Sequence, residues 1–312
     1  MRKRRKSKML QPVEWALQAP WRTGNLRMEK KRKVRYATYY SQKEISSVRH
    51  WLVFVNGRNE YIEKYGYFPS DLNLPQDWGF LTWDHRGQGD SSGQRGHVVS
   101  FGDYAADAQA VVETVLGRTV SYDVISHSMG ALIALTSILK GGMTPGKLAL
   151  ISPFLGVPRG ALPLSISRGL AASMHRLRLG RVYVNGSGMM ANLDFATNDK
   201  TYNRERYLQQ ALSPYRSSQI TFAWLHAAFE ALKVVQEPRA LRRLKNIQCL
   251  VLQASEETVV DLAAIDAWSQ AAREQGVEVT SHIFSPAKHE LLSEKEAIYE
   301  QVITLLKGHL GG

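Results

Sequence analysis

Short apolar runs that alternate with amphipathic runs constrain the fold of this 312-residue chain more than any other feature of its sequence. Apolar runs rich in β-branched and aromatic residues are typical of strands, and they occupy residues 51–57, 79–87, 120–128, 147–154, 247–255 and 277–286. Apolar residues at helical spacing occupy residues 101–116, 129–140, 261–275 and 293–307. This alternation predicts an α/β fold, with a mainly parallel sheet covered by helices on both faces.

Two segments depart from the alternation. Residues 32–41 favour an antiparallel strand at the edge of the sheet. Residues 156–240 contain helical patterns joined by polar, irregular sequence, and so long a departure between two strands is typical of an insertion. The sequence therefore predicts a basic N-terminal arm at residues 1–30, a core at residues 31–155 and 241–312, and a mostly helical cap at residues 156–240.

The net charge of +12 resides in residues 1–50, which hold 15 of the 40 Lys and Arg residues but 3 of the 28 acidic residues. The rest of the chain is therefore neutral. A basic segment of this kind is either a solvated tail or an arm that lies on an anionic membrane surface, where each cation contributes about 1 kcal/mol. No motif that reads nucleic acid is present, so nucleic acid is not expected as a partner.

Hydropathy and cysteine content bear on the location of the protein. No apolar run approaches the roughly 18 residues that a membrane-spanning helix needs. Cys249 is the only cysteine, which excludes an internal disulfide and a zinc site built from cysteines, and which favours a reducing compartment. We therefore expect a cytoplasmic protein, peripheral on the inner face of the cytoplasmic membrane if the arm binds there. The sequence does not set the oligomeric state.

The sequence SHSMG, residues 126–130, follows one predicted strand and leads into a predicted helix. This is the context of a nucleophile elbow, a tight turn that projects a serine hydroxyl above the sheet. We therefore predict Ser128 as a nucleophile, with the backbone N–H of Met129 available to an oxyanion. Glycine usually stands at the position of Ser126, where the turn requires a small residue.

A serine hydroxyl needs a base to remove its proton. Of the nine histidines, His289 follows the last apolar strand and completes the chain order nucleophile, acid, histidine. Three carboxylates compete for the acid, Glu256, Glu257 and Asp261. Glu257 is favoured because it falls on the loop after the strand, whereas Asp261 suits a helix N-cap.

The loop after the first parallel strand is the second source of oxyanion donors. Gly57 allows the chain to turn closely, and the backbone N–H of Arg58 joins that of Met129 as a candidate pair. The nearby DHRGQGDSSG, residues 84–93, is too short for a dinucleotide motif, and the chain has no phosphate loop. We therefore expect neither a cofactor nor a metal, and we interpret residues 84–93 as a tight turn that braces the neighbouring loops.

Several of these motifs in this order resemble the monoglyceride-lipase-like branch of the α/β-hydrolases. Within that branch they are most similar to the bacterial inner-membrane lysophospholipases of the L-two type. The motifs that carry the resemblance are NGRNEYIEKY, DHRGQGDSSGQRGHV, HSMG, LQASEETVVD and AKHE, spread over residues 50–300. Asn56 departs from the wider family, in which a histidine usually precedes the oxyanion glycine.

The resemblance implies an α/β-hydrolase fold and a triad of Ser128, Glu257 and His289, with Arg58 and Met129 at the oxyanion hole. It also implies a lysophospholipase that acts through an acyl-enzyme. The alternatives are a monoacylglycerol lipase or small-ester carboxylesterase, and a catalytically silent member that binds lipid or protein.

The predicted cap contains an apolar stripe at helical spacing, formed by Leu162, Ile166, Leu170, Met174 and Leu177. Arginines lie among and after these residues, namely Arg168, Arg176, Arg178 and Arg181. One hypothesis is that the stripe admits an acyl chain while the arginines, Arg168, Arg176 and Arg178 above all, meet a phosphate head group or a membrane surface. The alternative is that the stripe packs the cap onto the core and the arginines are solvated.

Overall fold

The computed structural model describes residue 17 and residues 19–29, 32–42, 44–158, 163–184, 194–216 and 219–311. In this part of the chain, eight strands form one sheet in the order β1-β2-β4-β3-β5-β6-β7-β8. The strands are β1 (Trp21–Arg27), β2 (Lys33–Tyr39), β3 (His50–Val55), β4 (Trp78–Trp83), β5 (Ser121–His127), β6 (Lys147–Ile151), β7 (Gln248–Ala254) and β8 (Val279–Phe284). Strands β3 to β8 pair in parallel with one another, and β2 pairs antiparallel with both β1 and β4.

Helices cover both faces of the sheet, and their bounds are α1 (Phe68–Leu72), α2 (Phe101–Leu116), α3 (Met129–Leu139), α4 (Leu164–Arg176), α5 (Arg204–Ala211), α6 (Phe222–Val235), α7 (Pro238–Leu241), α8 (Leu262–Glu274) and α9 (Glu296–Gly311). Alternate residues of one strand enter different cores. Val53 and Val55 of β3 pack in a cluster with α2, α3 and α8, whereas Leu52 and Phe54 pack in a second cluster with α1 and α9. Burial on both faces explains why the parallel strands are continuous apolar runs in the sequence.

The strands and helices predicted from the sequence are all present, and β2 is antiparallel as expected. The structure differs at β1, because residues 21–27 were assigned to the basic arm. Polar side chains dominate this edge strand, so its sequence lacks an apolar run. Trp21 anchors it, with its ring edge-on to those of Tyr39 and Phe80 and its Nε1 donating to the Gly66 carbonyl oxygen at 2.9 Å. Residues 1–16 of the arm lie outside the described residues.

The segment between β6 and β7 contains α4, α5, α6 and α7. Helix α6 is tied to the core through Trp224, whose ring contacts those of Phe101 and Phe154. Helix α4 packs mainly on α6, and Ala171 is its one fully buried residue. Within the described residues, no helix is long and apolar enough to cross a membrane.

Candidate active site

Ser128 lies at the turn between β5 and α3, at the carboxyl edge of the sheet. Its backbone adopts φ 52° and ψ −119°, a conformation that is strained for a residue with a side chain. A Cβ atom at Gly130 would stand 2.0 Å from the Val55 carbonyl oxygen, so glycine is required there. Ser126 is buried, and its hydroxyl donates to the Ala149 carbonyl oxygen at 3.2 Å. A small residue therefore fits at Ser126.

A hydrogen-bonded chain joins Ser128, His289 and Glu257. The Ser128 Oγ lies 3.0 Å from His289 Nε2, and His289 Nδ1 lies 2.7 Å from Glu257 Oε2. Because a carboxylate only accepts, Nδ1 carries the proton and Nε2 is left to accept from the serine hydroxyl. The arrangement has the geometry of a serine nucleophile with a base and an orienting acid.

The three candidate acids occupy different positions. Glu257 contacts the histidine, and its other oxygen accepts from the N–H groups of Val259 at 2.7 Å and Val260 at 3.2 Å. Asp261 caps α8 by accepting from the Ala264 N–H at 3.3 Å. Glu256 accepts from the Tyr202 hydroxyl. Of the three carboxylates, the structure brings Glu257 alone into hydrogen-bonding contact with His289.

The electrostatic surroundings favour a neutral histidine beside a charged acid. Burial lowers the pKa of His289, although Glu257 partly opposes this effect. Burial alone would raise the pKa of Glu257, but the hydrogen bond and charge of His289 and the two backbone N–H groups lower it below its usual value. A neutral imidazole is the form that can accept a proton from Ser128.

The candidate oxyanion donors lie beside the serine. Arg58 and Met129 both line the cleft that contains Ser128. Among the described residues, no acceptor is hydrogen-bonded to the backbone N–H of either one. Both N–H groups are therefore free to donate to a negatively charged oxygen.

The turn at residues 84–93 braces the loop that carries Arg58. Gln88 Nε2 donates to the Gly57 carbonyl oxygen at 3.0 Å, and Gln88 Oε1 accepts from the Asn59 N–H at 3.0 Å. His85 contributes a further bond to the Asn56 carbonyl oxygen at 2.9 Å. These contacts agree with the interpretation of this segment as a brace, and each one reaches the loop that carries Arg58, a candidate oxyanion donor.

A buried charged network next to His289 was not predicted from the sequence. Lys64 Nζ donates to Glu60 Oε1 at 2.7 Å and to Glu290 Oε2, and the His127 ring lies 2.8 Å from Glu60 Oε1. His127 Nε2 lies 3.4 Å from the carbonyl oxygen of His289. The network therefore connects the loop that carries Arg58, the turn at Ser128 and the loop that carries His289. Two features of the sequence could have indicated this network. Glu60 and Lys64 have the i, i+4 spacing of an ion pair, and an acid, Glu290, directly follows His289.

Charges within this network stabilise one another. Burial alone would raise the pKa of Glu60, but His127 and Lys64 lower it well below its usual value. Burial would lower the pKa of His127, but Glu60 outweighs burial and raises it. An imidazolium with two N–H groups can donate both to Glu60 and to the His289 carbonyl oxygen. Ser152 Oγ donates to the same carbonyl oxygen at 2.8 Å, so two groups hold the base loop.

Among the described residues, one group of side chains could hold a metal ion, and it belongs to the same network. Ligand atoms of Glu60, His127 and Glu290 all lie within 4.8 Å of one another. The Lys64 ammonium already bridges the two carboxylates. The donor set therefore has a cation of its own and does not fit a divalent ion well.

Both apolar and cationic side chains line the cleft beside Ser128. Its apolar lining includes Phe154, Val157, Ile220, Trp224, Leu225 and Val260, and its cations are Arg58, Lys64, Lys200 and Arg216.

The arginines that were predicted to bind substrate, Arg168, Arg176 and Arg178, are not among the described residues that line this cleft. All three are exposed on or just after α4, and Arg168 lies over the Phe229 ring. Leu162 lies outside the described residues.

Comparison with known proteins identifies the family. The family model described as "Serine aminopeptidase, S33" matches residues 46–296. A probable lysophospholipase L2 of Haemophilus influenzae is 30% identical over 284 residues, which cover 88% of this chain and 87% of the relative. Lysophospholipase L2 of Escherichia coli strain K12 is 29% identical over 265 residues, which cover 79% and 76% of the two chains.

Comparison with solved structures identifies the fold. A soluble variant of monoglyceride lipase from Saccharomyces cerevisiae, in complex with a substrate analog, superposes with a TM-score of 0.74 at 16% identity. The match covers 96% of this chain and 99% of that chain. The predicted fold class is confirmed, and the chain belongs to the serine aminopeptidase S33 family of hydrolases, with an α/β-hydrolase fold.

Proposed function

We propose that this protein is a serine hydrolase that cleaves the acyl ester of lysophospholipids through an acyl-enzyme. The hydrogen-bonded chain from Ser128 through His289 to Glu257 carries the proposal, because it supplies a nucleophile, a base and an orienting acid. The relatives named lysophospholipase L2, matched over most of their length, support the substrate class.

In the first step His289 Nε2 accepts the hydroxyl proton while Ser128 Oγ attacks the ester carbonyl carbon. The N–H groups of Arg58 and Met129 stabilise the oxyanion, a contribution of about 3 to 4 kcal/mol per donor in other acyl-transfer enzymes. Glu257 stabilises the imidazolium that forms. Collapse of the intermediate breaks the ester bond, and the imidazolium protonates the departing glycerol oxygen. Water activated by His289 then releases the fatty acid.

The 156–240 segment acts as a cap over this site. Apolar residues of the segment that line the cleft, Ile220, Trp224 and Leu225 among them, would hold the acyl chain. Burial of each methylene contributes about 0.8 kcal/mol, so a long chain gains most of its affinity there. The cap therefore sets acyl specificity, whereas the triad supplies the chemistry.

Exposed residues of the cap support contact with a membrane. Ile166, Leu170 and Leu177 are 53%, 45% and 67% exposed. Exposed arginines flank them, namely Arg168, Arg176 and Arg178. Apolar side chains that enter a lipid surface and cations that meet its phosphates suit a peripheral protein, and the basic arm would add to the attraction. Sedimentation with anionic vesicles should fall in the Arg176→Gln/Arg178→Gln variant, and unchanged binding would remove these residues from the contact.

A monoacylglycerol or another small ester is the second candidate substrate, because the same triad serves any accessible acyl ester. The cationic residues that line the cleft favour the lysophospholipid. The third candidate, a silent member that binds lipid or protein, is disfavoured by the aligned Ser128, His289 and Glu257.

A fluorophosphonate probe tests the serine hydrolase assignment. We expect labelling of the wild type and of Ser126→Ala, which keeps the turn, and no labelling of Ser128→Ala. Absence of labelling in the wild type would support the silent binding member. Labelling of Ser128→Ala at the wild-type rate would show that a different residue is the nucleophile.

A further inference from the structure

The cleft carries more positive charge than its own carboxylates neutralise. Four cationic side chains line it, against the two carboxylates of Glu60 and Glu290. Lys64 is hydrogen-bonded to both carboxylates, and His127 also lies against Glu60. The cations left over are Arg58, Lys200 and Arg216.

Neither Arg58 nor Arg216 forms an ion pair within the described part of the chain. Among the described residues, no carboxylate oxygen lies within 4.0 Å of either guanidinium. The Nη1 atom of Arg216 is buried without a hydrogen-bond partner in the described part of the chain. The Arg58 guanidinium lies over the Trp224 ring, 5.9 Å from its centre. A buried donor that lacks an acceptor is costly, so Arg216 gains from an anion that enters the cleft, and Arg58 lines the same cleft.

Arg58 and Arg216 line the same cleft, so their positive charges oppose each other. Burial lowers the pKa of Arg58, and the positive charge of Arg216 lowers it further. Tyr104 and Asp199 act in the opposite direction, but they do not outweigh burial. Two cations held near each other in a partly desolvated cleft raise the local positive potential. An anion between them would relieve the repulsion.

Lys200 supplies a third cation next to the catalytic loop. Its carbonyl oxygen accepts from the Glu290 N–H at 2.8 Å, directly after His289 in the chain. Its ammonium is 3.8 Å from Asp199, whose side chain is 55% exposed, so this ion pair is weak. Lys200 can therefore turn its charge toward a ligand beside the triad at little cost.

We propose that Arg58, Lys200 and Arg216 form an anion subsite that binds the phosphodiester of the substrate head group. The proposal rests on the function proposed above. Guanidinium forks match phosphate oxygens in bidentate geometry. In a lysophospholipid one glycerol unit separates the phosphate from the acyl ester, so a phosphate must lie in the cleft when the ester reaches Ser128. Head-group recognition thus belongs to the cleft cations, and the exposed arginines of α4 are left to the membrane surface.

Substrate discrimination tests the subsite. A lysophosphatidylethanolamine and a monoacylglycerol with the same medium-length acyl chain are compared, both below their aggregation limits. Loss of one charge-assisted hydrogen-bonding group should lower the ratio of kcat/KM values, lysophospholipid over monoacylglycerol, about tenfold or more in Arg216→Gln. Most of the change should appear in KM for the lysophospholipid. Lys200→Gln should act in the same direction, Arg216→Lys should restore part of the ratio, and Arg239→Gln, which removes an exposed charge outside the cleft, should keep it.

A ratio that stays at the wild-type value in both Arg216→Gln and Lys200→Gln would overturn the subsite, whatever the absolute rates. Failure of the wild type to cleave either ester would instead overturn the proposed function. Glycerophosphoethanolamine, the deacylated head group, should inhibit monoacylglycerol hydrolysis by the wild type more strongly than by Arg216→Gln. If inorganic phosphate inhibits as strongly as the head group, the assignment to the phosphodiester fails.

Discussion

Replacement of Lys64 by methionine should destabilise the protein strongly. The Lys64 side chain is 4% exposed and donates to Glu60 Oε1 at 2.7 Å and to Glu290 Oε2. Glu60 keeps the Gly57 N–H and the His127 ring as partners, but Glu290 loses its ion pair while its side chain is only 9% exposed. Removal of one member of a buried ion pair costs about 3–5 kcal/mol, and we expect a loss in that range.

Urea denaturation followed by tryptophan fluorescence measures this loss. The double variant Lys64→Met/Glu290→Gln removes the unpaired carboxylate together with its cation. It should therefore be more stable than Lys64→Met by at least about 1 kcal/mol, even though Glu290→Gln alone is destabilising. A loss below about 1 kcal/mol in Lys64→Met, or a double variant no more stable than the single one, would refute the ion-pair reasoning.

Two further predictions concern catalysis. Glu257→Gln should lower kcat by about 10³- to 10⁴-fold because His289 loses the group that fixes its tautomer. Asp261→Asn keeps an N-cap, so its kcat should stay within about threefold of the wild-type value. Steady-state hydrolysis of a nitrophenyl ester measures both variants, and a larger loss in Asp261→Asn would identify Asp261 as the acid. As the pH is lowered, kcat/KM should stay at its plateau value to below pH 6.5. The neutral imidazole is the active form and burial lowers the pKa of His289, so activity is lost only when the pH falls through that lowered pKa. A half-maximal kcat/KM above pH 6.5 would contradict the environment described for His289.

The meeting of Ser128, Glu257 and His289 was predictable because chain order and strand ends restrict where each group can lie. A serine between a strand and a helix, an acid after β7 and a histidine after β8 must meet at the carboxyl edge of a parallel sheet. The choice of Glu257 as the acid followed from helix capping, since Asp261 suits an N-cap, and the hydrogen bonds agree with that assignment. These inferences use only local sequence patterns and the fact that the strands of a parallel sheet all run in the same direction.

The remaining features depend on long-range packing. Lys64 and Glu290 are 226 residues apart in sequence, and neither residue type predicts burial. Strand β1 carries no apolar run because one of its edges and much of its surface face solvent. Lys200 and Arg216 lie in irregular sequence between α4 and α6, where periodicity gives no orientation. The arginines of α4 drew attention through helical spacing, but spacing alone does not show which face meets the cleft.

Release of fatty acid from a monomeric lysophospholipid tests the central claim most directly. The wild type and Ser128→Ala are incubated with the same 1-acyl-glycerophosphoethanolamine, and free fatty acid is quantified by mass spectrometry. We predict stoichiometric release of fatty acid and glycerophosphoethanolamine by the wild type, and release at the uncatalysed rate with Ser128→Ala. Absence of release by a wild-type protein that the fluorophosphonate probe labels would contradict the assignment to lysophospholipids.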